Sequence, residues 1–584
     1  MSIIIGINAY HGDSSACLVK DGVLVAAAEE ERFKRIKHWA GFPIDSIKYC
    51  LDEAKISLDD VHHIAVNSDP QANLGRKVIY SLLKRPDVSF LIDRLKNKRN
   101  RLSITDELST LIPDNDFLGK IHNIEHHLCH LSSSYHVSNF EKSIAISIDG
   151  FGDFASAAWG LCENNNIEID EKVYFPHSMG IFYQAMTQFL GFPYYGDEYK
   201  VMGMAAYGEP KYLDKLRSIV FYEKSGKFRL NLDHFIHHNT KVDYQWDGGI
   251  PSVGSLFNLD SLEGLLQMKH RGKNEELEQK HFDLARSTQT MYEEVFYNLL
   301  NAKYSQYGID NLSLAGGCAM NSLANGGIFK NTPFKKVYIQ SAAGDAGGAI
   351  GAAYVVANNL GELVDNSKMT NAFYGPSFNN DYHQELLREK KEQLDSSNCV
   401  VKHFDKEKDL CKKTAEAIAD GKVIGWFQGR MEWGPRALGN RSILCDPRRE
   451  DIREILNLKI KRRESFRPFA PAILFEDIDD WFDESHEVPF MMQVFNIHKD
   501  KQKIIPAVTH KDGTGRLQTV DPVNNPRYYD LILEFKEITG VPIILNTSFN
   551  ENEPVVCRPE EALETFLRTK MDLLVLGNWM VYRS

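Results

Sequence analysis

Two stretches of the chain repeat one plan, and that repeat constrains the fold more than any single motif. SIIIGINAYHGDSSACLVKDGVLVAAAEE, from Ser2, and SIAISIDGFGDFASAAWGLCENNNIEIDEKV, from Ser143, each read as an apolar strand, a polar turn and a hairpin. Asn8 aligns with Asp149, and Ser14-Ser15-Ala16 with Ala155-Ser156-Ala157. Asp21-Gly22, set between apolar runs, is a strong two-residue hairpin signal. After the first copy the pattern continues with a helix, IDSIKYCLDEAKI, and a further strand, HHIAVNS. Hairpin, helix and strand in that order predict a mixed α/β domain built by duplication of a half-domain.

Two α/β halves, each with a polar or acidic turn after its first strand, resemble the actin/hexokinase-like ATPase fold. Such a fold cradles phosphates between the turns, where glycine lets backbone N–H groups approach closely. A nucleoside-binding turn is then expected after a later strand. NLSLAGGCAMNS fits it, with Gly316, Gly317 and Asn321 at a strand-to-helix junction. A further strand, KKVYIQ, leads into the Gly-rich SAAGDAGGAIGAAY around Asp345. Tight strand-to-helix turns are common in any α/β protein, so neither segment decides the matter alone. The chain has no Walker motif and no G-x-G-x-x-G after a strand, which disfavours the usual nucleotide folds.

The chemistry starts at IEHHLCH. His126 and His130 stand four residues apart in a segment that reads as helix, so their imidazoles share one face. The strand SIAISID that follows ends at Asp149. Two nitrogens and a carboxylate suffice to hold a divalent metal with positions open for substrate. A histidine-rich surface helix has the same local sequence, because His122, His127 and His136 crowd the region. Downstream, GDEYKVMGMAAYGEP sets Glu198 and Lys200 among small residues. Residues 212–279 are charged, aromatic and weakly periodic, and read as an insertion forming an acceptor-binding wall or a solvated excursion.

At 584 residues the chain needs more than one core. We expect a metal-bearing domain over 1–360, a polar linker over 361–408 with its own helix, QELLREKKEQL, and a second α/β domain over 409–584. That last region carries Arg430, Arg436, Arg441, Lys461, Arg467 and Arg516 among Trp433, Phe466 and Phe469. Guanidinium forks match phosphate oxygens in bidentate fashion, and Lys adds a point charge. Asn546 and Ser548, in NTSFN, add an amide and a hydroxyl at a strand end. The formal net charge is −12, so focused positive charge here points to a small polyanion rather than to nucleic acid. The alternative is a set of solvated cations, with KIKRRE as a helix surface. Nine cysteines are scattered singly with no C-x-x-C, which suits reduced thiols. MSIIIGINAYHGD lacks a basic n-region, and no apolar run is long enough for a bilayer, so the expectation is a cytoplasmic protein without membrane or nucleic-acid partners.

Taken together, EHHLCH, SIDGFGD, GDEYKVMGMAAYG, GGCAMNS, SAAGDAGGAIGAAY, GRMEWGPRALGNRSI, RESFRPFAPA and ILNTSFN resemble, in order, the carbamoyltransferase family of nodulation protein U and the antibiotic O-carbamoyltransferases. The resemblance covers nearly the whole chain. It implies an N-terminal actin-like (ASKHA) domain similar to the tRNA threonylcarbamoyladenosine transferase, and a C-terminal YrdC-like α/β domain. It implies metal ligands at His126, His130, Asp149 and Asp345, with Fe(II) as the usual metal and other divalent ions as alternatives. Contacts to carbamoyl phosphate and ATP, the latter with Mg, map onto Arg436, Lys461, Arg467, Arg516, Asn546 and Ser548. His11 matches a histidine at the transfer site. Tyr199 stands where family members often carry Gly before the lysine, which bears on the local shape near the acceptor. The implied activity is two-step carbamoyl transfer, through carbamoyl-adenylate, to a hydroxyl of a small molecule, with a homodimer as the family-level expectation. An actin/hexokinase-like small-molecule kinase is the alternative.

Overall fold

The computed structural model describes residues 2–84, 104–112, 117–239, 244–245, 247–363, 368–464 and 466–583. Two compact units emerge: Met1–Ala324 with Ile328–Met369, and Asn325–Gly327 with Thr370–Ser584.

The first unit contains two five-stranded sheets of identical plan. In the first, β1 (Ile3–Asn8), β2 (Ser15–Lys20) and β3 (Val23–Glu29) form an antiparallel meander. On the other side of β1, β4 (His63–Val66) and then β5 (Lys120–Asn123) add in parallel. The second sheet repeats this with the meander β6 (Lys142–Gly152), β7 (Ala155–Glu163) and β8 (Asn166–Tyr174). Parallel to β6 lie β9 (Asn311–Ala315) and β10 (Lys336–Ile339). The duplication expected from the sequence is therefore present strand for strand.

Local chemistry explains both meanders. Asp21 and Gly22 take φ of 53° and 78°, and Asn164 and Asn165 take 51° and 64°, the left-handed pairs that a two-residue turn matched to strand twist requires. Asn8 is the last residue of β1, while Asp149 sits where the β6–β7 register breaks between Ile148 and Gly152. A break of this kind re-aims a side chain out of the ladder.

The helix Gly347–Asn359 is buried along most of its length and owes its position to small residues. A methyl on Gly351 would lie 1.8 Å from the Cys129 carbonyl oxygen, and one on Gly348 1.9 Å from Asn67 Nδ2. From the opposite side, a methyl on Gly6 would lie 2.0 Å from the Ala349 carbonyl oxygen. Only bare backbone permits this approach to β1 and to the helix His126–Tyr135. The consequence is functional, because Asp345 stands just before that helix.

The second unit holds one nine-stranded mixed sheet. Its strands are β11 (Cys399–His403), β12 (Ile424–Phe427), β13 (Arg441–Cys445), β14 (Ala470–Leu474), β15 (Gln493–Asn496), β16 (Thr514–Val520), β17 (Ile543–Ser548), β18 (Leu573–Leu576) and β19 (Trp579–Arg583). Their order across the sheet is β11-β19-β18-β12-β13-β17-β14-β16-β15. The α/β class expected from the sequence holds for both units.

The polar stretch 361–408, expected as a linker, contributes structure to this unit, although residues 364–367 lie outside the described ones. It supplies the helix Asn380–Glu389 and the edge strand β11, which pairs antiparallel with β19. Its polarity has a simple cause. After Cys399 the strand is exposed, and the helix buries only His383, Leu386 and Leu387. Among the described residues all nine cysteines are free thiols, and no helix is long and apolar enough to cross a membrane.

Candidate metal centre and anion site

Two carboxylates fix the start of the helix that carries the histidines. Glu125 Oε2 accepts from the Leu128 amide at 2.9 Å, and Asp153 Oδ2 accepts from the His126 amide at 2.9 Å. These bonds satisfy amides that a helix start leaves without partners. One turn apart, the Nε2 atoms of His126 and His130 lie 3.0 Å from each other. Asp149 Oδ2 is 3.1 Å and 3.3 Å from them, and Asp345 Oδ1 is 3.7 Å and 3.5 Å away.

Imidazole nitrogens 3.0 Å apart and 3.1–3.7 Å from the carboxylate oxygens have the separation expected of ligands about 2.0–2.2 Å from one shared centre. Other observations agree with a cation there. Among the described residues, Asp345 Oδ1 is buried without a hydrogen bond and faces the two histidine Nε2 atoms at this point. Burial raises Asp149, but hydrogen bonds from His126 and His130 outweigh it and hold the carboxyl well below its ordinary range. Burial and then the Asp149 charge push Asp345 up. A divalent ion fits this set of two imidazoles and two carboxylates. Beside it, a methyl on Gly150 would meet nothing within 4 Å and one on Gly344 only Gly317 Cα at 3.9 Å, so glycines leave open space next to both carboxylates.

The other sequence-predicted residues of this unit take distinct places. His11 comes alongside, its ring centroid 6.4 Å from that of His126. Its loop is pinned by Asn8 Nδ2, which donates to the carbonyls of Gly12 and Asp13 at 3.2 Å and 3.0 Å. Gly316 is in the left-handed region at φ 91°, and a methyl there would lie 2.2 Å from the Ile148 carbonyl oxygen. The Gly317 amide donates to Asp149 Oδ1 at 2.9 Å, so this turn braces a cluster carboxylate. Asn321 exchanges amide hydrogen bonds with Gln289 at 2.9 Å and 3.0 Å. Lys200 pairs with Asp197 at 2.8 Å and does not join the histidine–aspartate cluster.

In the second unit, Lys461 follows a π-helical stretch, Ile455–Ile460, a form concentrated at functional sites. Its side chain is buried, with Nζ 2.7 Å from Asn550 Oδ1, 2.9 Å from the Asn550 carbonyl and 3.3 Å from Ser548 Oγ, and also bonded to the Ser548 carbonyl. Arg516 is held well below its ordinary range, first by burial and then by the charges of Arg436, Arg463 and Arg467. Its Nε is buried without a hydrogen bond. Arg516 and the three guanidinium charges that act on it make a candidate anion site, in which Arg467 also pairs with Glu464 at 3.7 Å and Arg463 donates to Asn457 Oδ1 at 2.8 Å.

Asn546 stands behind this group, donating to the Ala437 carbonyl at 3.1 Å and Gln518 Oε1 at 2.7 Å. Ser548 Oγ donates to Asn550 Oδ1 at 2.8 Å. Asn550 and Arg463 are the residues that the sequence reading missed. Asn546, Ser548 and Asn550 alternate with strand period, a signal available in NTSFN. Arg463 lies in KIKRRE, two residues from Lys461, in the run for which a solvated helix surface is the alternative to an anion site.

Two arginines of the expected cluster serve the fold instead. Arg441 is fully buried, stacks 3.6 Å from the Phe427 ring centre, and donates to the carbonyls of Pro376, Asn440 and Gly429 at 2.9 Å, 3.0 Å and 3.2 Å. Arg430 donates to the Tyr374 and Gly375 carbonyls at 2.7 Å and 3.2 Å. Trp433, Phe466 and Phe469 are buried. Glu432 shapes the intervening loop. Its Oε1 accepts from the amides of Leu438, Asn440 and Arg441 at 2.8 Å, 2.8 Å and 3.0 Å, and this holds the segment bearing Arg436.

Comparison with known proteins gives this pair of sites a family. The Carbamoyltransferase N-terminus matches residues 3–354, and the Carbamoyltransferase C-terminus matches residues 415–583. The chain belongs to the carbamoyltransferase family. Within it, the chain is 38% identical over 618 residues to protein sll1178 of Synechocystis sp., spanning 100% of this chain and 97% of that one. It is 37% identical over 585 residues to nodulation protein NolNO of Sinorhizobium fredii, covering 98% of this chain and 79% of that protein. Similarity to the 3'-hydroxymethylcephem-O-carbamoyltransferase of Streptomyces clavuligerus is 32% over 241 residues, 41% of this chain and 42% of that one. Among solved structures, HypF of T. kodakarensis covers 63% of this carbamoyltransferase and 50% of its own chain with a TM-score of 0.32 at 13% identity, a loose likeness on which nothing below rests.

Proposed function

We propose that this carbamoyltransferase is an ATP-dependent O-carbamoyltransferase of small-molecule biosynthesis. Its second unit converts carbamoyl phosphate, ATP and one water into carbamoyl-adenylate, phosphate and pyrophosphate: water splits the carbamoyl phosphate to carbamate and phosphate, and a carbamate oxygen then displaces pyrophosphate from the α-phosphorus of ATP. Its first unit transfers the carbamoyl group to a hydroxyl and releases AMP. The observation that carries the reading is the presence, in one member of the family, of two separate sites of different chemistry. One suits a polyanion and the other a divalent cation.

In the second unit, Arg436, Arg463, Arg467 and Arg516 bind the phosphate oxygens of both substrates, with Mg accompanying ATP. Lys461, fixed by Ser548 and Asn550, places a further positive charge where negative charge develops on phosphorus-bound oxygen. Because these groups are set by the fold, they need little reorganisation during the reaction. In the first unit, His126, His130, Asp149 and Asp345 hold the divalent metal, Fe(II) by family resemblance, which supplies Lewis acidity when bound. His11 takes the proton of the acceptor hydroxyl, a role typically worth about 10²–10⁴-fold. The open glycine-lined space at Gly150 and Gly344 receives the nucleotide.

The Streptomyces clavuligerus relative is named for a hydroxymethyl acceptor, and we extend a small hydroxyl-bearing acceptor to this chain. The net charge of −12 supports a function without nucleic acid. A homodimer accords with the family resemblance. The test is the nucleotide product formed from ATP and carbamoyl phosphate with Fe(II). The expected result is pyrophosphate whose release depends on carbamoyl phosphate. ADP formed without regard to carbamoyl phosphate would overturn the reading in favour of a kinase.

A further inference from the structure

The loop between the helices Met179–Phe189 and Glu198–Met204 carries Tyr195 against Gly12. This loop is closed on itself. The Tyr194 amide donates to Asp197 Oδ2 at 3.3 Å, the Asp197 amide donates to the Tyr194 carbonyl at 3.2 Å, and Asp197 pairs with Lys200 at 2.8 Å. Gly191 and Gly196 bracket the loop, both at φ 82°. The phenol is clamped on two sides. A methyl on Gly12, the residue after His11, would lie 2.6 Å from Tyr195 Cζ and 2.7 Å from its oxygen. On the other side, the His38 ring stands edge-on with centroids 5.4 Å apart.

His38 is itself fixed. Its Nδ1 is 2.7 Å from Asp13 Oδ1, its amide donates to Glu31 Oε2 at 2.8 Å, and a methyl on Gly196 would lie 2.3 Å from its Nε2. Thus Gly12, Gly196, His38 and Asp13 together set the position of one ring. The Tyr195 hydroxyl nevertheless makes no hydrogen bond among the described residues. Tyr195 is partly exposed, so its hydroxyl is open to a molecule that enters beside the clamped ring. Burial, followed by the charges of Asp13, Asp345, Asp149 and Glu198, pushes the phenol well above its ordinary range, so the group is a hydrogen-bond donor at any working pH. The contact with Gly12 places the hydroxyl beside the residue that follows His11, whose ring centroid lies 6.4 Å from that of His126.

We infer that Tyr195 is a catalytic hydrogen-bond donor to the carbonyl oxygen of the carbamoyl group during its transfer from carbamoyl-adenylate. The inference rests on the transfer reading given above. The acceptor oxygen forms a bond to the carbamoyl carbon with its own lone pair, and the C=O π pair moves onto the carbonyl oxygen. Tyr195 donates to that oxygen as its charge grows. When the C=O bond re-forms, the bond to the phosphate oxygen breaks and AMP leaves with the electron pair. The acceptor proton passes to His11. Tyr195 keeps its own proton throughout.

The test uses the full chain loaded with Fe(II), carbamoyl phosphate and ATP, with water as the acceptor. Single-turnover AMP formation is compared between metal-loaded and metal-stripped protein. The Tyr195→Phe protein is expected to lose about 10²-fold or more of the metal-dependent rate, the usual cost of one oxyanion donor. Its metal content and pyrophosphate release should match the wild type, and the exposed neighbour variant Tyr194→Phe should match it in all respects. Metal-dependent AMP formation at the wild-type rate in Tyr195→Phe would overturn the assignment alone. Absence of metal-dependent AMP formation in the wild type would overturn the transfer reading and this assignment with it.

Discussion

In the Lys461→Ala protein, carbamoyl-phosphate-dependent pyrophosphate release falls by about 10²–10³-fold or more, the scale of a lost preorganised charge contact. Lys461 is almost wholly buried, and its ammonium holds Ser548 and Asn550 in place. Truncation removes a positive charge and also strands buried acceptors, at about 1–3 kcal/mol for each group left without a partner. Lys461→Met separates the two contributions, because it keeps the packing of the stem without the charge. Both variants should retain bound metal, since the four metal ligands belong to the first unit and Lys461 to the second. Pyrophosphate release at the wild-type rate in Lys461→Met would reduce Lys461 to a structural tie.

The His130→Ala protein shows the complementary loss. Removing one of four ligands leaves Asp149 and Asp345 with a single imidazole between them, and metal content should fall close to zero. The transfer half-reaction then loses the charge stabilisation of several kcal/mol that a bound divalent ion supplies, about 10³-fold or more in rate. Pyrophosphate release continues, because the anion site shares no residue with the cluster. Metal content by elemental analysis, alongside separate pyrophosphate and AMP time courses, checks both halves. Equal loss of pyrophosphate release in folded His130→Ala and Lys461→Ala proteins would contradict the two-site assignment.

How much of this is legible in the sequence depends on how far each contact reaches. The duplicated sheets announce themselves through local chemistry, since Asp21-Gly22 and Asn164-Asn165 specify the same turn in each meander. His126 and His130 share a face by helical spacing, and Asp149 follows on the adjacent strand. Asp345 does not follow from any spacing. Its approach is set by bare glycines at Gly6, Gly348 and Gly351, whose partners lie in distant segments, so only family resemblance pointed to it.

The anion site divides along the same line. Arg436 and Arg516 gather where the composition suggested, whereas Arg430 and Arg441 look identical in sequence but find carbonyl partners at Tyr374, Gly375 and Pro376. No local pattern tells a guanidinium aimed at phosphate from one that satisfies buried backbone. Arg463 was hidden for another reason. A charged run is compatible with a solvated helix face as well as with an anion site, and here it begins in a π-helical turn after which Lys461 points inward. The polar stretch before Lys408 was hidden too, because an exposed edge strand such as Cys399–His403 has the composition of a linker.

The most direct test of the central claim is removal of the metal from wild-type protein by chelation, followed by reloading with Fe(II). Pyrophosphate and AMP are followed separately in the presence of ATP and carbamoyl phosphate. Two independent half-reactions predict that pyrophosphate release is unchanged on stripping, while enzyme-accelerated AMP formation disappears and returns with Fe(II). Loss of pyrophosphate release together with the metal, or AMP formation indifferent to it, would contradict the account.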